Sequence, residues 1–325
     1  MGDPAMSSNN HIRNGSFDYA RLIAVIGIIW FHTSAPHGHI GYSGLAYFLI
    51  LIPVLAVPQI GRLRQMRHRA PPMVRYAAAR GLRLLVPWLG ASAIYGMLKA
   101  VEVSRGATWG DEFDSTMWLT GPALHLWFLP FAFVICLMLW PVGRWLPQMT
   151  RSLRTHMCMT CMCAALMALA CWQTANLSAP MAQWAYALPA ILLGTSFALT
   201  GGSLWRMTGI AALFFCMALS ANWIIGLQQL GIATATVLGC QLIKTKPNAL
   251  SGLAARVSLA LYLVHPAVAA VIMRGQILPE SSTIFAGVVT VGSLGVVALW
   301  ETIKATAPRP KTLWRQGLRQ LAKSP

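Results

Sequence analysis

The sequence predicts an all-α, polytopic integral membrane protein of about ten transmembrane helices, with both termini in the cytoplasm. Three observations predict it. Hydrophobic residues make up 56% of the 325 and charged residues only 10%, at a mean hydropathy of +0.58, whereas a soluble domain is about 25% charged. Apolar runs long enough to cross the hydrocarbon core recur along the whole chain. The lysines and arginines, finally, gather on alternate connections between those runs, as the positive-inside rule requires of one membrane orientation.

The runs are expected near residues 17–36, 43–61, 84–101, 123–143, 157–173, 181–199, 207–221, 223–242, 257–273 and 282–302. The first holds Asp18, Arg21 and His32 in an apolar frame and lacks a small-residue cleavage site, so it reads as a retained span rather than a secretory leader. A connection over residues 62–88 carries seven arginines from Arg62 to Arg83 and leads to Pro87 near the start of the third span. The longest outer connection, residues 102–122, is too short for a soluble domain. After Gly121-Pro122 the fourth span opens on Leu124-His125-Leu126-Trp127-Phe128-Leu129. If the N-terminus is cytoplasmic, only Lys99, Arg105 and Arg274 fall in outer segments or their margins, and Arg21 lies inside the first span. Glu102, Asp111, Glu112, Asp114 and Glu280 lie outside. The expected organisation is a cytoplasmic tail over residues 1–16, one membrane domain over 17–302, and a basic cytoplasmic tail over 303–325. No internal repeat, low-complexity tract or Gly-rich phosphate loop interrupts it.

A net charge of +17 would suit nucleic acid, but charge partitioned to one membrane side excludes that partner and points to membrane lipids instead. Seven cysteines, an odd number spread through apolar segments, predict no disulfide framework. The run His156-Met157-Cys158-Met159-Thr160-Cys161-Met162-Cys163 offers soft ligands. On a helix, however, Cys163 turns well away from Cys161, and helix packing explains the run without a metal.

Ionisable side chains inside a span are expensive and usually functional, which singles out Arg21 and His32. Eleven residues at 100° each make three turns and about 20°, so both side chains share one helix face, roughly 16 Å apart along the axis. The competing reading is a histidine that hydrogen-bonds a neighbouring carbonyl. Asp18 stands at i−3 from Arg21, the spacing of a helical ion pair. Arg80 and Arg83, also three apart, can grip phosphates with planar bidentate donors, or simply set topology and touch anionic lipid. His125 is expected at a depth similar to His32, beside Trp127, whose other reading is an interfacial anchor. Tyr262 and His265 share a face of the ninth span, as site or as packing.

Together these pieces resemble the membrane acyltransferase family 3, bacterial enzymes that O-acylate surface and secreted polysaccharides. The family's first helix reads Asp-x-x-Arg, an apolar run, then His, as Asp18, Arg21 and His32 do. Its Arg-x-x-Arg before apolar residues and Pro is similar to Arg80, Arg83 and Pro87, its Trp-Phe-Leu to Trp127–Leu129, and its Tyr-x-x-His to Tyr262 and His265. The second span departs from the family pattern: Ser43-Gly44 precede the aromatic pair Tyr47-Phe48 instead of following it.

The resemblance implies a multi-pass protein of the bacterial cytoplasmic (inner) membrane that transfers an acyl group, acetyl or another such as succinyl, from acyl-CoA to a sugar hydroxyl. The acceptor is then a polysaccharide or lipid-linked oligosaccharide, with polysaccharide assembly proteins as further partners and no metal. Arg80, Arg83 and Arg21 are expected to hold the donor. His32 is expected to act as general base or as acyl acceptor, either of which suits imidazole. Asp18 would orient Arg21, while His125, Trp127, Tyr262 and His265 line the site. The rival from another class is a transporter or flippase for a polysaccharide precursor, since buried Arg and His also suit a polar permeation route.

Overall fold

The structure, a computed structural model, describes residues 14–63, 72–275, 278–279 and 281–306. Every regular element among the described residues is helical. The principal helices are α1 Gly15–His32, α2 Ser43–Leu63, α3 Pro72–Ser104, α4 Phe128–Met138, α5 Arg151–Thr174, α6 Met181–Leu199, α7 Leu204–Ser220, α8 Leu227–Leu242, α9 Ala249–Arg274 and α10 Thr283–Thr306. Each overlaps one of the expected spans. By length and composition, seven segments can cross a membrane: Gly38–Leu63, Pro72–Ser104, Trp109–Gln148, Arg151–Thr174, Met181–Leu199, Ala249–Arg274 and Thr283–Thr306. The other three expected spans fall on α1, which carries three ionisable residues in 18, and on α7 and α8, of 17 and 16 residues.

Boundaries differ from expectation for local reasons. α3 begins at Pro72, well before residue 84, so Arg75 joins Arg80 and Arg83 on the helix. Pro72 suits a first helical position, where its missing N–H has no partner to lose. α1 stops at His32 because the chain leaves helical space at Ser34, with φ of 52°; the Thr33 hydroxyl donates back to the carbonyls of Ile29 and Trp30 in the last turn. The fourth span is broken into the 3₁₀ turn Leu124–Trp127, α4, and Trp140–Trp145, with Pro141 at the start of the last piece. The expected tails lie largely outside the described residues, as do Arg64, Arg67 and Arg69.

α2 is the centre of the bundle and packs against α1, α6 and α8. Gly44 in its first turn lies so close to the backbone of Ala24 that any Cβ would overlap it, and Gly194 of α6 lies as close to Ile50. Small residues let membrane helices approach at backbone distance. Gly44 of the displaced Ser43-Gly44 pair is therefore a backbone-distance contact of α2 with α1, beside that of Gly41 with Gly27. Farther along, the Tyr47 hydroxyl donates to the Phe17 carbonyl at 3.1 Å.

α1 and α9 start side by side. Asn14 caps α1 and donates to Cys240 at the end of α8, while Gly15 N–H donates to the Thr245 carbonyl at 2.9 Å. The Tyr19 hydroxyl donates at 2.8 Å to the side chain of Asn248, which in turn caps α9 through a capping box with Ser251. His32 lies 17 residues past Gly15 and His265 lies 16 past Ala249. At 1.5 Å per residue, two packed helices from one level bring both histidines to the same height, about 25 Å along.

Candidate functional site

His32, His125 and His265 converge from α1, the 3₁₀ turn and α9. The rings of His32 and His265 are 5.3 Å apart, and those of His125 and His265 5.7 Å. His265 is fully buried and His125 nearly so, whereas His32 is exposed. Of the three imidazoles only His32 is accessible to an incoming molecule. The Nε2 atoms of His125 and His265 are buried without a hydrogen-bond partner, as is Gln183 Oε1 on α6. Orphaned buried polar atoms are rare and call for a structural explanation, such as a bound polar ligand. All of these residues line one cavity of about 700 Å³, together with Trp127 and Tyr42. Trp127 is 4% exposed and packs against Phe131 at 5.3 Å, so it forms wall rather than a stacking platform. The Tyr262 hydroxyl donates to the His125 carbonyl, which ties the 3₁₀ turn to α9 and occupies that hydroxyl's proton.

A second cavity, about 240 Å³, lies toward the starts of α1 and α9. Arg21, Arg80, Arg83 and Gln59 give it a cationic polar side, and Phe48, Leu55, Leu84 and Phe128 an apolar one. Arg21 pairs with Asp18 at 2.9 Å, with side chains 19% and 3% exposed, so the carboxylate holds the guanidinium from behind. Arg80 donates to Gln59 and stacks on the Tyr76 ring at 5.1 Å. Ile28, Leu45 and Tyr262 line both cavities and form the partition between them.

The nine residues singled out from the sequence thus divide by chemistry. Arg21, Arg80 and Arg83 line one cavity; His32, His125, Trp127 and His265 line the other; Tyr262 belongs to both, and Asp18 stands behind Arg21. Gln59, Gln183 and Tyr42 were not anticipated, although an amide inside an apolar helix is itself a sequence signal. His37 and His39 sit on the turn Gly38–Gly41 and its cap, outside both cavities. Along α5, Cys158 is buried against the Ser196 carbonyl, while Cys163 is exposed on another face. No group of three or more His, Cys, Asp or Glu among the described residues is placed to hold a metal ion.

Membrane-crossing helices enclosing a cationic cavity and an imidazole-lined cavity end to end define a multi-pass membrane protein with polar chambers among its helices. The chain matches the model of a family described as an acyltransferase domain, over residues 14–300. It belongs to that family, the membrane acyltransferase family 3, and is a membrane acyltransferase. Curated proteins and solved structures return no match.

Proposed function

We propose that the protein is a membrane O-acyltransferase that moves an acyl group, acetyl in the first instance, from acyl-CoA to a sugar hydroxyl of an exopolysaccharide or other surface glycan. The family supports acyl transfer. The observation that carries the rest is the stacking of an arginine cavity and a histidine cavity along α1, joined at Ile28, Leu45 and Tyr262. In this reading ten helices cross the cytoplasmic membrane of a bacterium with both termini inside. The arginine cavity then opens toward the cytoplasm, where acyl-CoA is made, and the histidine cavity toward the glycan.

Arg80 and Arg83 would hold the donor's phosphates, since guanidinium forks match phosphate oxygens in pairs. Arg21, oriented by Asp18, would guide the thioester arm past the partition. At the far side the His32 imidazole takes the proton of the acceptor hydroxyl as its oxygen attacks the thioester carbon. The C–S bond breaks, and the departing thiolate recovers that proton as CoA thiol. In the covalent variant the neutral imidazole nitrogen attacks the thioester carbon and expels CoA thiolate; the acceptor oxygen then takes the acyl group from that nitrogen, the N–C bond breaks, and the hydroxyl proton goes to the thiolate. In this reading His265, whose ring is 5.3 Å from that of His32, and His125, 5.7 Å from His265, would share the proton. Gln183 in the wall suits a sugar hydroxyl.

The test is the O-acyl content of the host's surface polysaccharide, read by proton NMR, in a deletion strain complemented with wild type or His32→Ala at matched membrane abundance. Wild type should restore one acyl signal that the variant does not. Unchanged acylation in the deletion strain would sink the proposal and favour transport of a glycan precursor.

A further inference from the structure

Away from both chambers, a third cavity of about 720 Å³ opens between α5, α6 and α7. Its polar side is made by Arg151, Arg154 and Arg206, and its lining holds no carboxylate. No ion pair joins any of the three to an acidic residue among the described residues. Arg151 stands in the first turn of α5 and Arg206 in the first turn of α7, whose N-cap Ser203 makes no side-chain cap bond. Cations at helix N-termini oppose the dipole, so three guanidiniums and two positive helix ends converge with nothing anionic among them. Arg154 Nη2 is anchored on the Leu146 carbonyl at 2.8 Å, while its Nε is buried without a partner. Topology-setting charges have no need to converge in a pocket. The other side of the cavity is apolar, with Leu199, Ile210 and Leu213, and its wall continues onto the exposed faces of Met159 and Leu213. Trp205 beside it is 86% exposed, as befits a ring at the headgroup level.

We infer that this pocket binds the phosphodiester head group of an anionic phospholipid on Arg151, Arg154 and Arg206, with the acyl chains laid along the apolar faces of α5 and α7. Charge complementarity sets the head group, and the continuous apolar wall selects a lipid over a free phosphate. Basic pockets between membrane helices bind such head groups in general. The site is independent of the acyl-transfer reading, and each stands if the other fails.

The purified full-length protein in detergent would be titrated with phosphatidylglycerol, phosphatidylcholine of the same chains, inorganic phosphate and CoA. Native mass spectrometry counts bound lipid, and the unfolding temperature is followed in parallel. Phosphatidylglycerol should be retained and should stabilise, while phosphatidylcholine and inorganic phosphate should not. Arg206→Gln or Arg151→Gln should each weaken phosphatidylglycerol binding about fivefold, and the pair by more. Arg144→Gln, which only loses a stack on Trp145, should leave it unchanged. Arg154→Gln removes a backbone anchor at 2.8 Å and Arg206→Gln a longer one, at 3.5 Å, to the Thr200 carbonyl, so Arg151→Gln carries the test if either fails to fold. Equal retention of the two lipids, or undiminished phosphatidylglycerol in Arg151→Gln/Arg206→Gln, would overturn the inference. A phosphate or CoA shift that Arg206→Gln abolishes would overturn the lipid and make this a soluble-phosphate site.

Discussion

Tyr95→Phe removes one oxygen from the lipid-spanning part of α3, and the structure says what that oxygen does. The hydroxyl donates to the Leu263 carbonyl at 2.9 Å and accepts from the Ala267 N–H at 3.2 Å. Between those residues lies Pro266, which leaves the α9 ladder one donor short. The same ring meets His125 edge-on at 5.1 Å. Tyr95 therefore braces α9 two residues to either side of His265 and touches a second histidine of the chamber. Hydrogen bonds between membrane helices average about 0.6 kcal/mol, so losing two should cost about 1–2 kcal/mol, toward the upper end if the freed backbone groups stay unpaired. Denaturant unfolding in detergent would measure it. In a Pro266→Ala background the proline kink is relieved and the Ala267 N–H can close directly on the Leu263 carbonyl, so Tyr95→Phe should cost less than half as much, a coupling of at least about 0.5 kcal/mol in a double-mutant cycle. Acyl-transfer assays should show kcat reduced with the KM for acyl-CoA unchanged, because the arginine cavity is lined by other residues. Identical costs in both backgrounds, or a stability within about 0.3 kcal/mol of wild type, would refute the bracing role.

Further outcomes follow from the same geometry. Gly44→Val pushes a branched side chain into the Ala24 backbone and should destabilise by about 3 kcal/mol or more, read as lost monodisperse protein in size-exclusion chromatography. Asp18→Leu leaves the largely buried Arg21 without its 2.9 Å carboxylate and should cost about 2–3 kcal/mol; adding Arg21→Met should recover most of that stability in unfolding assays while acyl transfer stays lost. Arg80→Gln with Arg83→Gln should raise the KM for acyl-CoA at least about tenfold with little change in unfolding temperature, since both side chains are partly or fully exposed. His32→Ala should be as abundant and as stable as wild type, its side chain being exposed, yet at least about a hundredfold slower in acyl transfer.

Much of this arrangement was legible before any tertiary structure. Arg21 and His32 lie on one face because the helical period is local, and each was visible because an ionisable group stands out in an apolar run. The Asp18–Arg21 pair and the shared face of Tyr262 and His265 follow from i, i+3 spacing in the same way. Tyr95 was not legible, since a lone tyrosine in a long apolar helix looks like any other aromatic; its meaning comes from Pro266, which is 171 positions away. Gly44 looked like a departure from the family pattern, and became a helix contact only against Ala24. The start of α3 was missed because seven arginines lower the hydropathy of 62–83, while helix formation there depends on propensity and not on apolarity.

The sequence by itself determined the class of molecule, the order and rough place of its helices, and the residue types available for chemistry. Hydropathy, charge asymmetry and helical period are all properties of neighbours along the chain. Tertiary structure alone decided that the arginines and histidines occupy separate chambers, that Tyr262, Ile28 and Leu45 divide them, and that His32 is exposed while His265 is sealed behind it. Those facts depend on which helices meet and at what height. Here that is set by the backbone contacts of Gly44 and Gly194 and by the adjoining caps of α1 and α9, contacts between residues far apart in sequence.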